Sequence, residues 1–274
     1  MKKLFYLVVT LLMISCSEQL LVDEVVGESV EQTAVSELNV LMEKARWGNG
    51  EAYVKLADCY RNGKGVKQDL TGMLSMVFLA DEYGGIKRME DYISSLPAES
   101  DYKLVFDAME KFSKGEQDDA LTMAEELIKQ SNIEGYTVKG IIQTEQGSIE
   151  EGKSLLEIAV EKGSSLAELY LCISDWHHGK SPNVRRLATM TNKMPIANAC
   201  LGKIYSGRNG EAMKNEELAA YYYMKADEKA CLSRNGARWL LNYYRNGGNL
   251  KLSEKDIERL KILAGTFTVE TCCH

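Results

Sequence analysis

The strongest constraint on this chain is that it repeats itself. The tetrapeptide Tyr60-Arg61-Asn62-Gly63 returns as Tyr244-Arg245-Asn246-Gly247, each time closing an apolar stretch with helical spacing. Around the first copy, Ala52, Leu56, Ala57 and Tyr60 fall at helical intervals; Gly63, Gly65 and Val66 follow, and then Asp69, Met73, Met76, Val77, Ala80 and Gly84. This reads as helix, glycine turn, helix. Around Tyr205 the same offsets give Ala197, Leu201, Gly202 and Tyr205, then Gly207 and Gly210, then Asn215, Ala219, Tyr222, Tyr223 and Ala226, with one residue added in the turn. One helical pair cannot bury its apolar faces alone, so repeated pairs must stack. Only 3 prolines and 5 phenylalanines occur in 274 residues, and the long segments are rich in Ala, Leu, Glu, Lys, Met and Tyr, so the sequence predicts an all-α protein.

A small residue, Leu, a second small residue and Tyr at these offsets, then a Gly-x-Gly-Val turn, then Asp or Asn leading to Ala, paired aromatics and Ala, resembles the Sel1-like repeat, a relative of the tetratricopeptide repeat with a longer loop. The likeness is strong at 50–84 and 195–230 and weaker between. Partial copies follow Ser148 (Leu155, Leu156, Ala159, Gly163) and fill 165–180 (Ala167, Leu171, Cys172, Trp176, Gly179), and Glu43 to Gly48 resembles the close of a preceding second helix. The resemblance implies a right-handed α-solenoid of helical hairpins over residues 34–265, with 266–274 as a tail, and it implies a scaffold that binds proteins or peptides without catalysis.

The residue types suit that packing. Small side chains let paired helices approach, and Leu and Tyr fill the grooves between units. Gly63 and Gly65 supply turn conformations, and Asp69 or Asn215 can cap the next helix. The pattern departs from the family in the middle: 101–130 reads as a shorter tetratricopeptide-like pair joined through Lys114-Gly115-Glu116, the helix at 184–193 lacks paired aromatics, and the spacing drifts at Ala230 and Gly248.

The N-terminus reads as an address. Lys2 and Lys3 precede an apolar run from Leu4 to Ile14, too short to span a bilayer. It ends in Leu12-Met13-Ile14-Ser15-Cys16, which resembles a bacterial lipobox and implies that Cys16 is acylated and becomes the mature N-terminus. Residues 1–15 are then a signal peptide, 16–33 an acidic tether, and the protein belongs in the bacterial cell envelope, at the outer membrane, as a lipoprotein whose palmitate and diacylglycerol hold it to the bilayer.

The formal charge of −7 falls to about −9 when Lys2 and Lys3 leave with the signal, and no basic stripe with interleaved aromatics breaks that balance, so nucleic acid is excluded as a partner. Beyond Cys16 there are six cysteines: Cys59, Cys172, Cys200, Cys231, Cys272 and Cys273. An exported protein can pair them, but the spacings do not place two in one hairpin at a fixed offset, and Cys59, Cys172 and Cys200 read as small buried thiols on first helices. His177, His178, Cys272, Cys273 and His274 do not converge as metal ligands, because helical neighbours point about 100° apart. No nucleophile elbow, zinc-protease helix or phosphate loop is present, so neither a catalytic residue nor a cofactor is expected. Acidic pairs such as Asp118-Asp119 and Glu125-Glu126 read as solvated helix faces. Of Tyr221, Tyr222 and Tyr223, the last two are assigned to the packing seam and Tyr221 to the outside. The alternative to a binding scaffold is an envelope enzyme acting on cell-wall or glycan material, which requires a deep polar pocket with converging titratable groups.

Overall fold

The computed structural model describes residues 28–177, 181–207 and 213–265, and among them all regular structure is helical: α1 (Glu28–Arg46), α2 (Gly50–Asn62), α3 (Leu70–Glu82), α4 (Met89–Ser94), α5 (Asp101–Lys114), α6 (Gln117–Lys129), α7 (Ile133–Glu145), α8 (Ile149–Glu161), α9 (Ser165–His177), α10 (Val184–Met190), α11 (Ile196–Tyr205), α12 (Glu216–Glu228), α13 (Arg234–Arg245) and α14 (Glu254–Leu263). The all-α array of hairpins expected from the repeat is what the chain forms. Helix α1 begins at Glu28, inside the stretch assigned to the tether.

The chain divides into two compact units. One is continuous and runs from Arg88 to Leu187; the other combines the described residues 28–87 with those from Ala188 onward. The division coincides with a change in turn chemistry. Within the continuous unit, α5 to α9 are joined by only two or three residues at each turn, the short connection of a tetratricopeptide-like array. In the discontinuous unit the α2–α3, α11–α12 and α13–α14 connections run through 63–69, 206–215 and 246–253. The continuous unit has one long hairpin connection of this kind as well, between α9 and α10, where the Asn183 N–H donates to the Cys172 carbonyl at 2.9 Å and the Asn183 side chain caps α10.

Two of those long turns close in the same way. The Asp69 N–H donates to the Tyr60 carbonyl at 3.0 Å, and the Asn215 N–H donates to the Tyr205 carbonyl at 2.8 Å. The residue inserted in the second turn is absorbed without moving this anchor. Both residues then cap: the Asp69 carboxylate accepts from the Gly72 N–H and the Asn215 side chain from the Leu218 N–H, as the sequence predicts. Gly63 ends α2 in the left-handed region at φ 68°, where a Cβ would be strained.

Packing in the continuous unit follows chain order. Val105, Phe106, Met109 and Phe112 of α5 are buried, as are Ala120, Ala124 and Leu127 of α6, Val138, Ile141 and Ile142 of α7, and Leu156 and Ala159 of α8. Each fully buried Leu or Ile contributes roughly 1.5–3 kcal/mol relative to exposure.

The discontinuous unit is organised differently, because its first hairpin packs on its last ones. Tyr83, just past α3, lies against a core of Tyr223, Leu232, Leu240, Leu241, Leu260 and Leu263 from α12 to α14. Its hydroxyl donates to the Leu232 carbonyl at 2.9 Å, and its ring stacks on Tyr53 of α2 at 5.4 Å between centroids. Lys255 of α14 lies over the Trp47 ring at 5.9 Å. The repeat unit at 50–84 thus finds neighbours more than 140 residues away in sequence.

The tyrosine seam is also used in two senses. In the first hairpin the ring of Tyr60, on the first helix, lies so close over Gly72 of the second that a Cβ there would sit 2.5 Å from it. In the α11–α12 hairpin the glycine is on the first helix and the ring on the second: a Cβ at Gly202 would sit 2.6 Å from Tyr223. Tyr205, the sequence counterpart of Tyr60, stacks instead on Tyr222 at 5.8 Å.

Candidate binding groove

The three consecutive tyrosines of α12 separate by depth, as helical geometry requires. Tyr223 is buried at 3% exposure, Tyr222 is half-buried against Tyr205, and Tyr221 stands out at 55% exposure with its edge on Tyr222. Tyr222 and Tyr223 occupy the seam and Tyr221 the outside, in agreement with the sequence reading.

Tyr223 starts an aromatic ladder that runs from the core to the surface. Trp239 of α13 tilts against it with centroids 5.4 Å apart, and Tyr243, one turn on, stacks on Trp239 at 5.2 Å and 12° between planes. Beyond Tyr243 the chain crosses its ring at Gly248, where a Cβ would approach to 2.5 Å, and the Asn249 N–H donates to the Tyr243 hydroxyl at 3.2 Å. Gly248, which the repeat pattern leaves out of register, is thus fixed by the tyrosine it covers.

The outer two rings, Trp239 and Tyr243, floor a groove of about 590 Å³ whose other walls are the start of α12, with Glu216 and Glu217, the last turn of α13, with Asn242, and the segment that follows it, with Asn246 and Asn249. All three asparagines and both glutamates are exposed. Asn242 lies in the last turn of α13 and Asn246, four residues on, caps its C-terminus, so their Cβ atoms lie about 5–6 Å apart on one side of the helix end. Asn215 also lines the groove, with its side chain turned to capping α12. The sequence reading named no binding residues; Trp239, Asn242 and Asn246 are the ones it missed. Their signal is an indole and two amides spaced by three and four residues on a helix whose opposite face carries Ala237, Leu240 and Leu241.

A second cavity, about 510 Å³, lies between α1 and α2 and is lined by Val40, Leu41, Lys55, Asp58 and Cys59 among others. Lys64 and Glu37, also in its lining, pair at 2.6 Å. Val40 is 53% exposed there.

Cys59, Cys172, Cys200 and Cys231 are buried thiols that form no disulfide. Burial pushes the Cys172 thiol up to about 12 and raises Cys59 less. Two carboxyls are held far from solvent: burial raises Glu82 to about 7 and also raises Asp227. Both lie in helix-packing seams of the discontinuous unit, where arginines answer them, and neither lines either cavity. Among the described residues no group of three or more His, Cys, Asp and Glu is placed to hold a metal ion, and no helix is long and apolar enough to cross a membrane. Cys16, His178, Cys272, Cys273 and His274 lie outside the described residues, as does the His177 side chain.

No family model and no curated protein matches the chain. Among solved structures it is similar to a Sel1 repeat protein from Oxalobacter formigenes, at 15% identity and a TM-score of 0.40 over 88% of this chain and 83% of that one. It is also similar to c5321, a protective antigen present in uropathogenic Escherichia coli strains that displays an SLR fold, at 17% identity and a TM-score of 0.41 over 84% of this chain. This chain spans about half of that antigen, 48% of its length.

Proposed function

We propose that this chain is a helical-repeat scaffold that binds a protein or peptide through the groove between α12 and α13, and that acylated Cys16 holds it to a membrane of the bacterial envelope. The observation that carries the binding role is the exposed pair of amides, Asn242 and Asn246, set beside the Trp239–Tyr243 stack in one concavity. Amides supply both donors and acceptors to a peptide backbone, and large rings supply rigid contact area at little entropic cost. The anchor is supported by the sequence Leu12 to Cys16 behind a short apolar run. The outer membrane is the proposed site.

Photo-cross-linking in the intact cell tests the binding role. A photoreactive residue at Asn242 is expected to yield a discrete higher-mass adduct, and the same residue at Glu126, an exposed position on α6, is expected to yield none. Absence of an adduct at 242, or equal adducts at both, removes the proposal. Metabolic labelling with a clickable fatty acid tests the anchor separately, with label expected on the full chain and lost in Cys16→Ala.

A further inference from the structure

We infer that the cavity between α1 and α2 seats a helix supplied by another protein: an amphipathic α-helix of about three turns that sets small and apolar residues against Val40 and Leu41 and a carboxylate against Lys55. The surface is separate from the α12–α13 groove, and the inference rests on the reading of Cys16 as the mature N-terminus. The repeat makes α1 a second helix, since its close at 43–48 leads into the first helix α2. In the complete repeats a first helix packs on its own second helix and on the next first helix: α5 on α6 and α7, α7 on α8 and α9, α11 on α12 and α13. A first helix belonging to α1 therefore has its seat between α1 and α2, and the cavity of about 510 Å³ lies there.

The occupied version of this seat is visible where α7 packs on α8 and α9. The N-caps Asn49, Asn132 and Ser164 put α2, α7 and α9 in register. Leu41 then corresponds to Ala124 and Leu156, and Lys55 to Val138 and Tyr170. Leu156 lies so close to Gly140 of α7 that a Cβ on that glycine would sit 2.8 Å from it, and the Tyr170 hydroxyl donates to the Glu145 carboxylate of α7 at 2.6 Å. A seated first helix thus covers both positions. Ala124, Leu156, Val138 and Tyr170 are all buried, whereas Leu41 is half-buried and Lys55 exposed. Val40 is 53% exposed where Met123 and Leu155 are half-buried.

Chain length and charge name the occupant. With Cys16 as N-terminus, 12 residues, 16–27, precede α1, whereas α2, α7 and α9 take 13 each and need a turn besides. The helix therefore comes from another molecule. Its rim carries an acid: Lys55 has no carboxylate partner among the described residues, and Glu145 is the group that meets the same position in the occupied seat. Glu37 stands where α6 and α8 have the small residues Ala120 and Gly152, and it pairs with Lys64. It holds a guest helix off at that end, so Val40, Leu41 and Cys59 form the main contact.

Cys59, in the lining, reports occupancy. Random peptides of about 14 residues, four helical turns, are displayed on phage and selected against the immobilised full chain. Synthetic copies are then titrated while iodoacetamide labelling of Cys59 is followed by mass spectrometry, with Cys172 as internal control. Some selected peptides are expected to slow Cys59 labelling roughly tenfold at saturation and to leave Cys172 unchanged. Those peptides are expected to carry apolar residues at helical period with Asp or Glu beside them. Their affinity should fall roughly fivefold to tenfold in Lys55→Glu, an exposed position, and return when the peptide acid becomes Lys. A selection in which no peptide protects Cys59, protecting peptides without helical period, or unchanged affinity in Lys55→Glu overturns the inference. So does faster labelling of Cys59, with no peptide present, in a full chain carrying Leu20→Ser, Leu21→Ser, Val25→Ser and Val26→Ser, because the chain's own tether would then be the occupant. Labelling that slows as protein concentration rises overturns it in favour of a second copy. The fatty-acid label on Cys16 is measured separately, so an unacylated chain and an unused seat are told apart.

Discussion

Asp227, at the end of α12, and Arg259, on α14, form a buried ion pair that also draws in Arg46 of α1 from 181 positions away. Asp227 is 1% exposed and Arg259 2%. Arg46 donates from Nε to the Asp227 carbonyl at 3.1 Å and brings a second nitrogen to 3.5 Å from its carboxylate, while Asp256 holds the other side of Arg259 at 3.1 Å. Burial raises the Asp227 carboxyl above its ordinary value, and the two guanidiniums pull against that. Removing one member leaves the others as uncompensated buried charge, which costs about 3–5 kcal/mol, whereas replacing a pair by apolar residues of similar volume is often neutral. Asp227→Asn is therefore expected to destabilise severely in a urea titration, and Asp227→Leu with Arg259→Met to recover most of the loss. A double variant as unstable as the single one would show that the pair is not the source of the effect.

Glu82 makes stability depend on pH. Its carboxylate accepts from the Arg234 N–H at 3.0 Å at the start of α13, and burial, only partly offset by Arg234, raises it to about 7. The folded carboxyl thus lies above its unfolded value of about 4.3, so between those two values the folded state binds more protons than the unfolded one. The contribution of Glu82 is most favourable below pH 4 and is lost as pH rises through 7, by about 3–4 kcal/mol. Glu82→Gln keeps an acceptor for the Arg234 N–H. It is expected to flatten this part of the pH–stability curve between pH 5 and 8 and to raise the urea midpoint at pH 8; the same slope in wild type and variant would assign the effect to another group.

These two contacts also mark where sequence reading stopped. Asp69, Asn215, Gly63 and Gly65 were legible because turn and cap chemistry is local, and Tyr223 because a helix divides three consecutive tyrosines by depth. Arg46, Glu82 and Asp227 were not. In a linear chain each looks like an ordinary solvated charge, and only the packing of the first hairpin on the last ones turns them into buried partners. A repeat pattern predicts stacking between neighbours in sequence, and nothing in Asp227 announces a partner at residue 46. The groove is hidden in the sequence for a related reason: the densest aromatic run is Tyr221–Tyr223, whereas the half-buried aromatic floor is Trp239 and Tyr243, on the next helix.

Gly50 and Gly85 meet backbone to backbone where α2 begins and the chain leaves α3. A Cβ on Gly50 would sit 2.1 Å from the Gly85 nitrogen, and neither segment has a flexible side chain that could give way. Gly84, next door, has a φ of 77° with open space around its Cβ position. Alanine at 84 is expected to cost roughly 1–2 kcal/mol from its left-handed backbone alone, and alanine at 50 about 3 kcal/mol or more, because two helix ends must move apart. Melting temperatures of the two variants check the order, and an inverted order would mean that the glycine contact is not tight.

Thiol reactivity reads out burial in both units. Cys172 is 0% exposed on α9, and its thiol is pushed to about 12, so at pH 8 only about one molecule in ten thousand carries the reactive thiolate. Cys59 is 8% exposed, lines the cavity between α1 and α2, and is raised less, with Lys64 drawing it back down. Native alkylation with iodoacetamide, followed by peptide mass spectrometry so that Cys272 and Cys273 are scored separately, is expected to modify Cys59 well before Cys172, Cys200 or Cys231. All four should react at once in denaturant without prior reduction, because none is held in a disulfide. Equal native labelling of Cys59 and Cys172 would mean that the continuous unit opens as readily as a surface cavity exchanges solvent, which the buried Ile141, Ile142, Leu156 and Ile173 around its helices argue against.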